Sequence, residues 1–233
     1  MLVARHPGTA HLTMPLRLRF GAQPRLALGT NAKVLVALLW VYNSDTEMTT
    51  SMIRKSEFIL ALVLILLGVS MRFLPHPANF APIAAVALFS GMYLRKWYAF
   101  VVPLAAMVIS DWQIGFHNLI AYTWGSFVLV GVIGWYVRRH KNPTTIVLGT
   151  VSGSALFYLV TNFGVWLQTD MYAKTWQGLL ECYTLALPFF RNTILGDLFY
   201  TGALVGLFEG ITYALRRLII TKEAVHVTTY HKD

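Results

Sequence analysis

Residues 72–91 read RFLPHPANFAPIAAVALFSG, and this stretch decides the fold. Prolines, a histidine and an asparagine interrupt a chain that is apolar on both sides, over residues 58–74 and 80–94. In a soluble domain such a stretch would be a loop leading into a core helix. Here the flanking runs approach the roughly 20 residues that a membrane-spanning helix needs, so we interpret the interruption as a connection between two helices in lipid.

The composition of the whole chain supports this interpretation. Of 233 residues, 56% are hydrophobic and only 12% are charged, whereas roughly 25% are charged in ordinary soluble domains. The formal net charge of +9 comes from short basic clusters between apolar runs and not from a basic stripe with interleaved aromatics. We therefore predict a multi-pass protein of the lipid bilayer with no nucleic acid partner. Cys182 is the single cysteine, which excludes an internal disulfide.

The N-terminal residues 1–51 differ from the rest of the chain. Residues 1–44 contain no acidic residue and five Arg or Lys, and their apolar run at 34–42 is too short to span a bilayer. One interpretation is an arginine-rich targeting peptide. The other is a disordered or spurious extension from a start codon too far upstream, because MIRKSEFILALVLILLG from Met52 is typical of the beginning of a bacterial membrane protein. We favour the second interpretation.

The remaining chain predicts an all-α bundle of six transmembrane helices in residues 52–220, followed by a cytoplasmic tail at 221–233. The six apolar runs are 58–74, 80–94, 97–110, 119–137, 146–167 and 193–215. If all six cross, ten basic residues lie at one end of the bundle, against Arg72, Lys174 and Arg191 at the other. That asymmetry predicts cytoplasmic termini in a bacterial inner membrane.

Polar side chains gather at the predicted outer end of the helices, where Asn79, Asp111, Asn162 and Asp197 fall at similar depth. A charged residue at a helix centre costs roughly 2.5 to 3.5 kcal/mol on insertion scales, so such residues usually face a partner or a wet cavity. Trp166 shares the helical face of Asn162 because it lies four residues further on. We predict that these five residues line a pocket for a small molecule.

Each of these residues has a plainer explanation. Asn79 is also suited to cap the second helix, and Asp111 would be solvated if it lay among lipid headgroups. Asp197 lies within reach of Arg191 or Asn192 in the preceding turn, which would make it part of a structural ion pair or hydrogen bond.

The connection before the last helix contains GLLECYTLALPFF, which is too short to span and which we interpret as a lid. His76 and His117, with Asp111 or Cys182, would offer nitrogen, oxygen and sulfur ligands to a metal, but no ligand pair has the spacing of a known motif. We predict no metal and no cofactor. The residues expected in the lid or behind the pocket are His76, His117, Trp176, Cys182, Arg191 and Asn192.

The sequence contains no recognisable catalytic set. There is no HExxH, GxSxG or Gly-rich dinucleotide motif, and no P-loop through which the chain itself would use ATP. We therefore do not predict an enzyme.

Four segments carry a resemblance: RFLPHPANFAPIAAVALFSG, SDWQIGF, TNFGVWL and PFFRNTILGDLFYTG. Together they resemble a family of small bacterial inner-membrane proteins of unestablished function, whose members in turn resemble the S components of energy-coupling-factor (ECF) vitamin transporters. This resemblance implies six helices, cytoplasmic termini, a vitamin-sized ligand near the outer face, and docking on a transmembrane coupling subunit with ATPases.

The resemblance is imperfect in the docking motif. S components commonly dock through alanines on the first helix, whereas here the small residues Ala81, Ala85 and Gly91 lie on the second. Small-residue spacing of this kind, also present in GTVSGSA and GALVGLFEG, serves either packing within the bundle or docking to another membrane subunit.

Three functions are therefore predicted, in this order. The first is an S-component-type membrane protein that binds or takes up a vitamin or cofactor precursor. The second is a non-transporting scaffold or assembly subunit whose small-residue faces bind partner helices. The third is a membrane-embedded enzyme with Asp111 and His117 as acid and base.

Overall fold

A computed structural model describes the protein over residues 54–230, with the side chains of residues 216 and 218–230 excepted. The predicted extension at 1–51 lies outside these residues. Within them all regular secondary structure is helical, without strands. The seven helices are α1 (Arg54–Phe73), α2 (Ile83–Tyr93), α3 (Tyr98–Ile114), α4 (Ile120–Arg139), α5 (Pro143–Gln168), α6 (Trp176–Leu185) and α7 (Leu187–Tyr230).

The apolar runs of the sequence correspond to six of these helices, and α6 lies in the connection that was interpreted as a lid. Four helices, α1, α4, α5 and α7, are long and apolar enough to cross a membrane. The other two are shorter, with 11 residues in α2 and 17 in α3. The all-helical class is thus confirmed with four candidate membrane spans, while six crossings and cytoplasmic termini stay predictions.

Helix α2 lies at the centre of the bundle. Every residue from Ile83 to Met92 is buried, as expected of a helix that is apolar all round. It packs against α3, α4, α5 and α7. At about 1.5 Å per residue α2 is about 16 Å long, which is roughly half of the 30 Å hydrocarbon thickness of a bilayer. The central helix therefore occupies only part of the depth of the bundle.

Glycines allow α2 to approach α4 at backbone distance. A Cβ atom added to Gly91 would lie 2.3 Å from the carbonyl oxygen of Gly131, and one added to Gly134 would lie 2.2 Å from that of Leu88. The small residues of α2 therefore serve packing within the bundle and are not accessible to a partner. Gly153 likewise faces Val130 of α4.

The glycines of the GALVGLFEG segment of α7 are not packed against a neighbouring helix of the described chain. No neighbouring atom of the described chain lies within 4 Å of a Cβ built on Gly202, Gly206 or Gly210. These three glycines follow one another at intervals of four residues and therefore share one face of the helix. We call them the α7 glycine face.

Side-chain contacts define the two ends of the bundle. At one end Arg95 pairs with Glu57 at 2.9 Å, and Lys141 pairs with Glu209 at 2.6 Å. At the other end the last turns of α1 and α3 meet, where Arg72 pairs with Asp111. Successive helices from α1 to α5 therefore alternate in direction. The first end, which carries the basic clusters, is called the basic end, and the second is called the pocket end.

Candidate functional site

A cavity of about 350 Å³ opens at the pocket end, beyond the N-terminus of α2. It exists because α2 begins only at Ile83, so that an irregular segment takes the place of the helix over residues 74–82. The cavity wall is mostly apolar with several polar groups. Its lining residues are Arg72, His76, Asn79, Ala81, Ile83, Ala84, Met107, Ile114, His117, Thr123, Phe127, Phe157, Thr193 and Asp197.

The irregular segment 74–82 is held in a defined shape. Proline fixes its own φ and disfavours helix in the residue before it, and this segment contains Pro75, Pro77 and Pro82. Asn79 adopts a left-handed conformation with φ of 61°, which Asn tolerates better than most residues. The side-chain amide of Asn192 on α7 donates to the Ala78 carbonyl at 3.1 Å. The segment is thereby tied to the first turns of α7.

A second cavity of about 320 Å³ adjoins the first. The two share Asn79, Thr123, Phe157 and Thr193 in their walls. The second extends between α5 and α7 toward Asn162. A ligand seated in the first cavity could therefore place a substituent in the second.

Arg72 brings a positive charge to the first cavity and forms an ion pair with Asp111. The guanidinium Nη1 lies 2.6 Å from Asp111 Oδ1 and donates to Ser110 Oγ at 2.7 Å. Trp124 Nε1 donates to the other carboxylate oxygen at 2.8 Å. The Asp111 side chain is 0% exposed, so the interpretation that it is solvated among headgroups is wrong. Asp111 positions Arg72 and does not itself line either cavity.

Asp197 brings a carboxylate to the same cavity from α7. The residue is only 3% exposed, and Ser154 Oγ on α5 donates to its Oδ2 at 2.7 Å. Among the residues that the structure describes, Asp197 takes part in no ion pair. The proposed pairing with Arg191 or Asn192 is therefore wrong. The hydrogen-bond partner of Asp197 among the described residues is the Ser154 hydroxyl.

The two histidines present different ring atoms. His76 Nδ1 lies 2.9 Å from the Pro77 carbonyl, and because a carbonyl only accepts, Nδ1 carries the proton and the neutral ring has Nε2 as an acceptor. His117 Nδ1 accepts from the Leu119 backbone N–H at 3.1 Å. Its neutral ring therefore carries the proton on Nε2 as a donor. Both histidines line the first cavity directly, although the sequence analysis placed them in the lid or behind the pocket.

The predicted pocket residues are thus only partly brought together. Asn79 and Asp197 line the first cavity, and Asn79 and Asn162 line the second. No side chain caps α2, so the capping interpretation of Asn79 is wrong. Trp166 lines neither cavity, because its Nε1 donates to the Ala173 carbonyl at 2.9 Å in the α5–α6 connection.

The residues predicted for the lid fall in several places. Cys182 is buried in α6 with its Sγ 3.4 Å from the Asn162 carbonyl, and burial raises the pKa of its thiol. Trp176 and Arg191 are exposed and line neither of the two cavities. Helix α6 is fixed to α5 because the Tyr183 hydroxyl donates to the Leu159 carbonyl at 2.8 Å. It therefore lies beside the second cavity and contributes no lining side chain.

Several lining residues were missed from the sequence. Arg72 was considered only for topology, although a lone cation at the end of an apolar helix is itself a signal. Thr123 and Thr193 gave no such signal in the sequence. Their hydroxyls donate to backbone carbonyls one turn earlier, those of Leu119 and Phe189. Such bonds are common for Thr in helices and do not indicate a ligand.

The site has the groups of a binding pocket. It combines apolar walls with a paired guanidinium, a buried carboxylate, two imidazoles, an amide and hydroxyls. Over residues 54–230 no group of three or more His, Cys, Asp or Glu side chains is arranged to hold a metal ion. Asp111 does not line the cavity that His117 lines, and its carboxylate is paired with Arg72.

Comparison with known proteins gives one match. Residues 52–218 match the family described as "Family of unknown function (DUF6580)". No curated protein matches the chain, and no solved structure matches it.

Proposed function

We propose that this chain, which belongs to that family of unknown function, is a membrane-embedded protein that binds a small molecule at the pocket end. The observation that carries the proposal is the cavity of about 350 Å³ beyond the N-terminus of α2. Ligand pockets typically measure about 300 to 1,000 Å³ and combine mostly apolar walls with a few polar groups. This cavity has that composition, and its size suits a vitamin or a cofactor precursor.

The polar groups restrict the kind of ligand. Arg72 offers a cation and Asp197 an anion, while His117 Nε2 donates and His76 Nε2 accepts in their neutral forms. Phe127 and Phe157, whose rings stack with centroids 5.0 Å apart, form an aromatic part of the wall. A flat or ring-containing molecule with several hydrogen-bonding groups therefore fits better than an acyl chain.

Uptake from outside the cell requires the pocket end to face outward. The basic clusters lie at the opposite end, which is the cytoplasmic end by the positive-inside rule. In the S-component type of uptake, a transmembrane coupling subunit with ATPases would supply the energy. Because the small residues of α2 are buried, such a subunit would have to dock elsewhere, and the α7 glycine face is the surface that we propose for it.

Mass spectrometry of small molecules released from the full chain, purified in mild detergent, tests ligand binding. We expect a compound in the wild type that is lost or strongly reduced in His117→Ala and in Thr193→Val. His140→Ala and Thr212→Val are matched controls, because both residues lie toward the basic end. We expect them to retain the compound. A wild type without a bound compound, or equal retention in all four variants, contradicts the proposal.

The α7 glycine face also supports the scaffold as a second candidate function. Glycines at four-residue intervals let transmembrane helices approach closely. We expect Gly206→Leu to release a partner protein that co-purifies from native membranes. Gly125→Leu is the control, because a Cβ at Gly125 also meets no described atom within 4 Å. Equal recovery of partners with both variants contradicts docking at the α7 glycine face.

A further inference from the structure

A line of buried polar side chains runs between α5 and α7, inward from the cavity. Helix α7 contributes Thr193, Asp197 and Thr201, which follow at intervals of four residues and are 4%, 3% and 2% exposed. Helix α5 contributes Thr150 and Ser154, which are 3% and 0% exposed. Ser154 Oγ joins the two helices through its 2.7 Å bond to Asp197 Oδ2. Five buried polar groups are a costly feature in a membrane bundle unless they serve a ligand or one another.

Thr201 is the exception among these groups. Its Oγ1 is buried and has no hydrogen-bond partner among the described residues. Other helical threonines donate to the carbonyl one turn earlier, as Thr150 does to Ile146 at 2.8 Å and Thr212 does to Phe208 at 2.7 Å. An unsatisfied buried polar group costs about 1 to 3 kcal/mol. Its oxygen is therefore available to a ligand.

The Thr201 side chain faces a small interior space that it shares with Asp197 and Thr150. The space has no room for a water molecule. All of its lining residues are buried, and its other walls are Ala84, Ala85, Leu88 and Val130. A water molecule needs roughly 10 to 15 Å³ of its own in such a space. Any occupant must therefore be smaller than a water molecule.

We propose that Asp197, Thr201 and Thr150, which line this space, form a binding site for one dehydrated monovalent cation, Na⁺, and that Ser154 holds the Asp197 carboxylate in place. Hard cations bind to oxygen ligands, and these side chains supply carboxylate and hydroxyl oxygens only. The single carboxylate balances a single positive charge. Arg72 lines the neighbouring cavity but is paired with Asp111, and Asp197 is in no ion pair of the described chain. The cation would satisfy both the buried carboxylate and the Thr201 hydroxyl.

The cation site and the small-molecule cavity share Asp197, which lines both spaces. Occupancy of one is therefore coupled to the other through the charge of a single side chain. The cation site does not depend on the identity of the small molecule. Its test can be carried out without any organic ligand, so its failure is distinguishable from a failure of the proposed function.

Thermal melting of the full chain in detergent, together with equilibrium binding of radioactive ²²Na⁺, tests the cation site. Buffers contain Na⁺, K⁺ or N-methylglucamine at constant ionic strength. We expect Na⁺ to raise the melting temperature saturably, by roughly 5–10 °C at a concentration a hundredfold above its dissociation constant. K⁺ and N-methylglucamine should have no such effect.

Thr201→Val and Asp197→Asn should each remove the Na⁺-dependent rise and the bound ²²Na⁺. Thr201→Val should melt no lower than the wild type in sodium-free buffer, because its hydroxyl has no partner to lose. Thr212→Val, on the same helix, should keep the full Na⁺ response. The proposal is overturned if K⁺ stabilises the wild type equally, or if Thr201→Val retains the response. It is also overturned if acidification from pH 8 to 6 replaces Na⁺ as the stabilising agent, because Asp197 then binds a proton.

Discussion

Neutralising Asp111 should destabilise the protein far more than neutralising Glu57 at the basic end, whose partner Arg95 is exposed. Asp111→Asn retains a side chain of the same shape but leaves the Arg72 guanidinium, whose side chain is 19% exposed, without its counter-ion. Removing one partner of a buried ion pair costs about 3 to 5 kcal/mol. Because Arg72 keeps its bond to Ser110 and part of its exposure, we expect the lower limit, about 3 kcal/mol.

The matched control is Glu57→Gln, which breaks the pair with Arg95. The Arg95 side chain is 52% exposed, and pairs exposed to water contribute about 0 to 1 kcal/mol. For a domain of this size about 1 kcal/mol corresponds to a change of about 2 to 4 °C in melting temperature. We therefore expect a decrease of about 6 to 12 °C for Asp111→Asn and less than about 4 °C for the control.

Cys182 provides the assay, because it is the single cysteine of the chain and is 1% exposed. A thiol-reactive fluorescent dye should label it only as the protein unfolds on heating. The double variant Arg72→Gln/Asp111→Asn completes the cycle and should be destabilised by less than the sum of the two single changes, because the pair is lost only once. An Asp111→Asn melting temperature as high as that of Glu57→Gln, or additive changes in the double variant, would refute the reasoning.

Three further predictions concern packing, backbone conformation and pH. Gly134→Ala should lower the melting temperature sharply, because its Cβ would lie 2.2 Å from the Leu88 carbonyl oxygen. In the same assay Gly206→Ala should be neutral or stabilising by up to about 1 kcal/mol, because a Cβ there meets no described atom within 4 Å. Asn79→Gly should retain the melting temperature better than Asn79→Ala, since φ is 61° and glycine adopts positive φ without strain. Cys182 should react slowly with iodoacetamide in the folded protein, because burial raises the pKa of its thiol. The folded state holds the thiol proton more tightly than the unfolded state does. The contribution of Cys182 to stability should therefore be lost as pH rises above the ordinary thiol pKa of about 8.5. Melting curves from pH 7 to 10 test this, and Cys182→Ala should show no such loss.

The helices were predictable because apolar runs in lipid leave few alternatives to helix. The segment 72–91 also indicated correctly that the chain breaks before α2. The central position of α2 had a signal in its all-round apolar character, but its small residues were equally compatible with docking. To choose between internal packing and docking, one must know which helices are neighbours, because Gly91 meets Gly131 of α4, forty residues away in the sequence.

The site was less predictable because its contacts join distant helices. Asp111 and Asp197 look alike in the sequence, as single acids near the same end of apolar helices. Arg72 pairs with the first but not with the second, a difference that arises from the packing of α1 against α3. Trp166 was assigned to the pocket because it lies four residues after Asn162 on the same helical face. Its indole instead donates to the α5–α6 connection, and helical periodicity does not predict the path of a connection.

The brevity of α2 has a consequence for how the protein enters the membrane. A segment of 11 residues is too short to be retained by lipid alone, which favours runs of about 20 apolar residues. We expect α2 to acquire a stable position only after α4 and α5 have been synthesised and can enclose it. Ribosome-bound chains that end before residue 143 should therefore leave residues 83–93 accessible to labelling from water, and chains long enough for α5 to have left the ribosome should protect them. Biogenesis would then proceed from the outer helices inward, with the central helix among the last to settle.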